Sequence, residues 1–112
     1  MNCIFCQIIA KKRSAEFLYE DEYLVVFKDI NPHAPVHLLI VPQQHIPSVN
    51  TLDEKNVSIV GKMVLTAKRM AELFGIQAGY RLMINCGRGG GQIIDHLHMH
   101  LMGGWGRKPL EL

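Results

Sequence analysis

Between Asp95 and Met102 the chain reads Asp-His-Leu-His-Met-His-Leu-Met, with histidine and an apolar residue alternating without a break from His96 to Leu101. On a strand, successive side chains point to opposite faces. His96, His98 and His100 therefore share one face, and Leu97, Met99 and Leu101 enter the core. The remaining histidines, His33, His37 and His45, form a second group, and the 50 residues between the groups contain none.

Residues 2–12 place apolar side chains at 4, 5, 8 and 9, a helical spacing, with Asn2 as N-cap. Phe17 to Tyr19 and Leu24 to Phe27 read as short strands hinged at Glu20-Asp21-Glu22. Asn31-Pro32-His33-Ala34-Pro35 is a turn, since both prolines fix φ and lack a donor. His37 to Val41 is a buried strand stopped by Pro42. Thr51, three residues before Glu54, suggests a capping box opening a helix that runs to about Phe74 and stops at Gly75. More than half of that helix's circumference is apolar, more than one core contact needs, and this points to a homodimer. Tyr80 to Asn85 and Asp95 to Met102 complete the strands. Without regular β-α alternation, the order predicts an α+β fold with an antiparallel sheet.

At 112 residues the chain is expected to form a single domain, 1–112, burying roughly two-thirds of its unfolded surface. No apolar run approaches the ~20 residues that cross a bilayer. The stretch Met1 to Cys6 lacks the basic and apolar regions of a signal peptide, so a cytoplasmic protein is expected. A net charge of +2 gives no electrostatic argument for nucleic-acid binding.

Three imidazoles on one strand face are costly as structure. The residues alone leave open a polar solvent-facing strand, a zinc site using two of the three histidines, and a catalytic set. Just upstream lies Cys86-Gly87-Arg88-Gly89-Gly90-Gly91-Gln92, whose bare main-chain N–H groups suit an anion, although a flexible turn has the same composition. A phosphate site facing a neutral imidazole would allow attack on phosphorus, a phosphohistidine intermediate and release by water. Cys3 and Cys6 have the Cys-x-x-Cys spacing of half a zinc site; a redox pair and two buried cysteines are the other readings. Cys86, with no partner, reads as a small core residue.

The run from Asp95 to Met102 resembles the His-φ-His-φ-His-φ-φ signature of the histidine triad superfamily. The resemblance extends over Phe27-Lys28-Asp29-Ile30, Pro35-Val36-His37, Val41 to Ile46, Gly79-Tyr80-Arg81, Asn85 and Gly90-Gly91-Gln92. Gly103-Gly104 is similar to the branch of histidine triad nucleotide-binding proteins. The resemblance implies a five-stranded antiparallel sheet with two helices, dimerising into a ten-stranded sheet. It implies a hydrolase of purine nucleoside phosphoramidates and related nucleotidyl conjugates, releasing nucleoside monophosphate such as AMP or GMP. His98 is then the nucleophile, and His100 and His37 complete its hydrogen-bonded relay. Asn85, Gly91 and Gln92 contact phosphate, Asp29 accepts the ribose hydroxyls, and Phe5, Ile8, Phe27 and Ile30 line the base pocket. It further implies a structural zinc on Cys3, Cys6, His45 and His96.

Two positions depart from the pattern: Ile93 stands where many relatives carry Ser or Thr, and Asp95 where an aromatic is common. Even spacing directs Asp95 away from the face of His96. His33 is expected to face solvent. Trp105 to Leu112 is expected to tune substrate choice at a partner's site. A dinucleoside polyphosphate hydrolase and a nucleotide-binding scaffold of weak activity are the competing readings.

Overall fold

The computed structural model describes residues 3–106. Helix α1 (Ile4–Ile9) is followed by β1 (Phe17–Glu20), β2 (Leu24–Lys28), β3 (Val36–Pro42), helix α2 (Ser58–Leu73), β4 (Tyr80–Met83) and β5 (Met99–Gly103). Short 3-10 turns lie at Val49–Thr51 and Arg88–Gly90. The strands form one antiparallel sheet in the order β1-β2-β3-β5-β4. The α+β, five-stranded, two-helix architecture is the one expected.

The pleat sorts the side chains into two layers. Leu24, Val26, Leu38, Ile40, Leu97, Met99 and Leu101 pack against Met63, Ala67, Met70 and Ala71 of α2. Met63 and Met70 are 0% and 3% exposed, each burial contributing about 2 kcal/mol. On the opposite face Val25, Phe27, Leu39 and Val41 receive Phe5 and Ile8 of α1. His37 and His100 share this second face by register, because Leu39 lies opposite His100.

In four elements a boundary differs from the sequence reading by two residues or more. Helix α1 is shorter than 2–12, and its N-cap is Cys3, whose Sγ accepts the Cys6 N–H at 3.4 Å; the expected cap, Asn2, lies outside the described residues, as do positions 107–112. Helix α2 begins at Ser58 rather than near Thr51. Thr51 forms its capping box with Ser48 around a 3-10 turn. Asp53 then accepts the Lys55 N–H and Asn56 accepts the Asp53 N–H, both at 2.8 Å. These side-chain bonds hold the backbone out of the helix for another turn. The helix stops as expected, with Phe74 as C-cap and Gly75 at φ +71°. Strand β4 ends at Met83, two residues before Asn85.

The fourth difference bears on the site. Strand β5 begins at Met99, not Asp95. The Leu97 N–H leaves the ladder for the Ile46 carbonyl at 2.6 Å, and the His98 ring bonds the His96 carbonyl. The alternation persists through this irregular stretch, with Leu97 still in the α2 layer.

Candidate active site and candidate metal centre

The catalytic candidates meet on the α1 face. His37 Nε2 and His100 Nδ1 are 2.8 Å apart, and the His98 and His100 ring centroids are 5.1 Å apart. The main-chain N–H of His33 donates to His37 Nδ1 at 2.9 Å, which places the His37 proton on Nε2 and directs it to His100 Nδ1. His98 Nδ1 lies 2.7 Å from the His96 carbonyl oxygen. A carbonyl only accepts, so Nδ1 carries the proton and Nε2 keeps a lone pair.

Burial sets the electrostatics. His98 is 8% exposed, and desolvation lowers its pKa, opposed by the His96 hydrogen bond and Asp29. Burial, with His98 and His37 as neighbours, brings His100 down to about 4. His37 is also lowered by burial, partly offset by Asp29. All three rings are thus neutral at pH 7, the state in which imidazole is a nucleophile.

Around them, Phe5 stands edge-on to His98 at 5.1 Å and to Phe27 at 5.4 Å. Phe5, Ile8 and Phe27 form one buried cluster; Ile30, expected beside them, is 88% exposed and outside it. Asp29 Oδ2 lies 3.4 Å from His37 Nε2, and its Oδ1 accepts the Asn31 N–H. His33 is exposed, as expected of its side chain.

The glycine loop is a braced turn. Gly87 and Gly91 take φ +75° and +93°, a region that favours glycine. Gln92, 3% exposed, accepts the Gly87 N–H and donates to the carbonyls of Pro47 and Ile94. Its side chain ties the loop's backbone to that of Pro47. Asn85 Nδ2 reaches the Gly91 carbonyl at 3.5 Å. Arg88 bonds the carbonyls of Gln92 and Ile93 and pairs with Asp95 at 3.0 Å. Opposite charges seven residues apart across the loop were the available signal for that pair. Ile93 is 81% exposed. Cys86, expected in the core, is exposed, because it sits on the loop beyond the end of β4.

A second cluster lies at the start of α1. Ligand atoms of Cys3, Cys6, His45 and His96 all lie within 4.8 Å of one another. His96 Nδ1 is 3.4 Å from Cys3 Sγ, 3.6 Å from Cys6 Sγ and 3.2 Å from His45 Nδ1; Cys6 Sγ to His45 Nδ1 is 3.3 Å. Sulfur and nitrogen ligands of a tetrahedral zinc stand about 3.3–3.8 Å apart. The His96 Nε2–H donates to the Pro42 carbonyl at 2.8 Å, so its Nδ1 lone pair turns toward the thiols. The donor set therefore fits a metal ion. Asp29, His37 and His100 form another compact group of potential ligands.

Residues 2–107 match the family profile described as "Scavenger mRNA decapping enzyme C-term binding". The purine nucleoside phosphoramidase of Escherichia coli K12 is 42% identical over 102 residues, covering 90% of this chain and 86% of the relative. A HIT family hydrolase from Clostridium thermocellum superimposes with a TM-score of 0.92 at 46% identity, covering 99% of this chain and 97% of that one. A zinc-bound histidine triad family protein from Mycobacterium smegmatis has a TM-score of 0.81 at 27% identity, covering 96% and 79%.

Proposed function

The chain belongs to the histidine triad family, and from that premise we propose that it hydrolyses purine nucleoside phosphoramidates and related nucleotidyl conjugates. The observation that carries this reading is the bond from His98 to the His96 carbonyl, which leaves a buried, neutral ring with one lone pair, at Nε2. In the first step Nε2 attacks the α-phosphorus, the bond to the leaving group breaks, and the departing nitrogen, held by the His100 Nε2–H, takes a proton from water. In the second, the hydroxide so formed attacks phosphorus and the P–Nε2 bond breaks, returning His98 to its neutral form. His37 continues the hydrogen-bonded chain behind His100. Main-chain N–H groups around Gly91 and the Asn85 amide hold the phosphate, Asp29 holds the ribose, and Phe5, Ile8, Phe27 and Ile30 receive the base. Gln92 serves the phosphate by keeping the loop in shape.

Cys3, Cys6, His45 and His96 would hold zinc, which supplies a fixed crosslink between α1 and the segment leading into β5. His96 belongs to this set, not to the reaction. The proposed assembly is a homodimer joined along the β4 edge, where Leu82 is 38% exposed; Val64 and Leu65 of α2 are 43% and 46% exposed. No helix among the described residues is long and apolar enough to cross a membrane.

The test is a panel of phosphoramidates, acyl-adenylates and dinucleoside polyphosphates, run with wild type and His98→Ala. Phosphoramidates are expected to be cleaved fastest, and His98→Ala to lose turnover while still binding nucleoside monophosphate. Faster cleavage of dinucleoside polyphosphates would favour the competing hydrolase. Binding without turnover in wild type would favour a scaffold, a reading motivated by the exposed hydrocarbon of Ile93.

A further inference from the structure

The group behind His37 is a main-chain amide, and it has a direction. An N–H can only donate, so the 2.9 Å contact from His33 N to His37 Nδ1 requires a lone pair at Nδ1. The proton of neutral His37 then lies on Nε2, 2.8 Å from His100 Nδ1, which must accept it and keep its own proton on Nε2. For His37 to pass a proton onward, Nδ1 would have to take one up while Nε2 gives one away. Nδ1 is blocked by the His33 N–H.

We propose that the main-chain N–H of His33 is a positioning group that ends the hydrogen-bonded chain at His37, so that His37 fixes the tautomer of His100 and does not itself relay protons. His100 then presents a fixed Nε2–H donor on the substrate side. The same bond explains why two equally compact ligand groups differ in kind. At Cys3, Cys6, His45 and His96, the Pro42 carbonyl takes the outer proton of His96 and turns a lone pair inward. At Asp29, His37 and His100, the His33 amide takes the outer lone pair and turns a proton inward. A cation needs a lone pair at His37 Nε2 and meets an N–H there. His33 carries this role through its backbone, so every residue except proline can fill it. Both prolines of the Asn31–Pro35 turn avoid the position.

The functional consequence rests on the catalytic reading above, but the tautomer is read without turnover. Two-bond ¹H–¹⁵N correlation spectra of ¹⁵N-histidine-labelled protein near pH 7 are expected to show His37 as the Nε2–H tautomer, and added Zn²⁺ to leave the His37 and His100 signals in place. His33→Ala keeps the donor and is expected to keep the tautomer. His33→Pro removes it and is expected to give a mixture of both His37 tautomers, with kcat lowered about tenfold and KM little changed. An Nδ1–H tautomer in wild type, or an unchanged His37 in a folded His33→Pro, would overturn the proposal. Should the proline variant not fold, the wild-type spectrum decides alone. Loss of turnover with the expected spectrum would count against the catalytic reading and leave the amide's role standing.

Discussion

Gln92 Oε1 accepts the main-chain N–H of Gly87 at 2.9 Å, tying the two ends of the glycine loop together. Its Nε2 holds the carbonyls of Pro47 and Ile94 at 2.7 and 2.9 Å. Gln92→Ala removes the side-chain partner of the Gly87 N–H and the Pro47 carbonyl, while the Ile94 carbonyl keeps the His96 N–H, and an unsatisfied buried group costs about 1–3 kcal/mol. The variant is expected to lose about 2 kcal/mol in urea denaturation and to bind nucleoside monophosphate more weakly. A loss below about 0.5 kcal/mol would mean that the loop is held by other contacts.

Gly104 follows β5 and lies against Pro35, at the end of the turn that carries His33. It takes φ +95°, and a Cβ there would lie 2.9 Å from Pro35 Cβ. Gly104→Ala meets strain and overlap together and is expected to cost about 2–3 kcal/mol. Calorimetry checks the loss, and a melting temperature equal to wild type would contradict it.

Metal removal separates the two clusters. Chelation, or Cys6→Ser, is expected to abolish bound zinc, lower the melting temperature by several degrees, and loosen α1 in hydrogen exchange, because binding free energy at a structural zinc site is folding free energy. The His37 ring is held by the main chain of His33, outside the metal set, and the His98 ring by the main-chain carbonyl of His96, whose side chain is the ligand, so the first element displaced is the base-side helix. Equal α1 protection with and without metal would refute this.

Acid weakens the fold through buried neutral histidines. Burial brings His100 from an ordinary value of 6.5 to about 4. The unfolded chain therefore binds more protons between those values, so the stabilisation is complete above pH 6.5 and is lost as pH falls toward 4. Urea midpoints are expected to fall between pH 7 and 5, and less steeply for His100→Gln. Parallel pH dependences in the two proteins would contradict the assignment.

The alternation from His96 to Leu101 made the central part of this legible in the sequence. A period of two fixed which residues enter the α2 layer, and that survived where the strand itself did not. What stayed hidden depends on partners distant in the chain. Leu97 leaves the ladder because Ile46 offers a carbonyl, and no local pattern at 95–98 records that. Gln92 reads as a phosphate contact, and the sequence does not record that its side chain also bonds the distant Pro47 carbonyl. Cys86 reads as core because its type is apolar, whereas its position on the loop decides its exposure. The lock on His37 is a backbone group, which any residue but proline supplies, so the sequence could only permit it.

Rapid quench with peptide-resolved mass spectrometry tests most directly whether His98 Nε2 forms a covalent bond to phosphorus. The quench is alkaline because the P–N bond of a phosphohistidine hydrolyses in acid. During the first turnover of an adenosine phosphoramidate, one adenylyl group is expected on His98 and none on His96 or His100. An adenylyl group on another residue, or turnover at the wild-type rate by His98→Ala, would contradict the account.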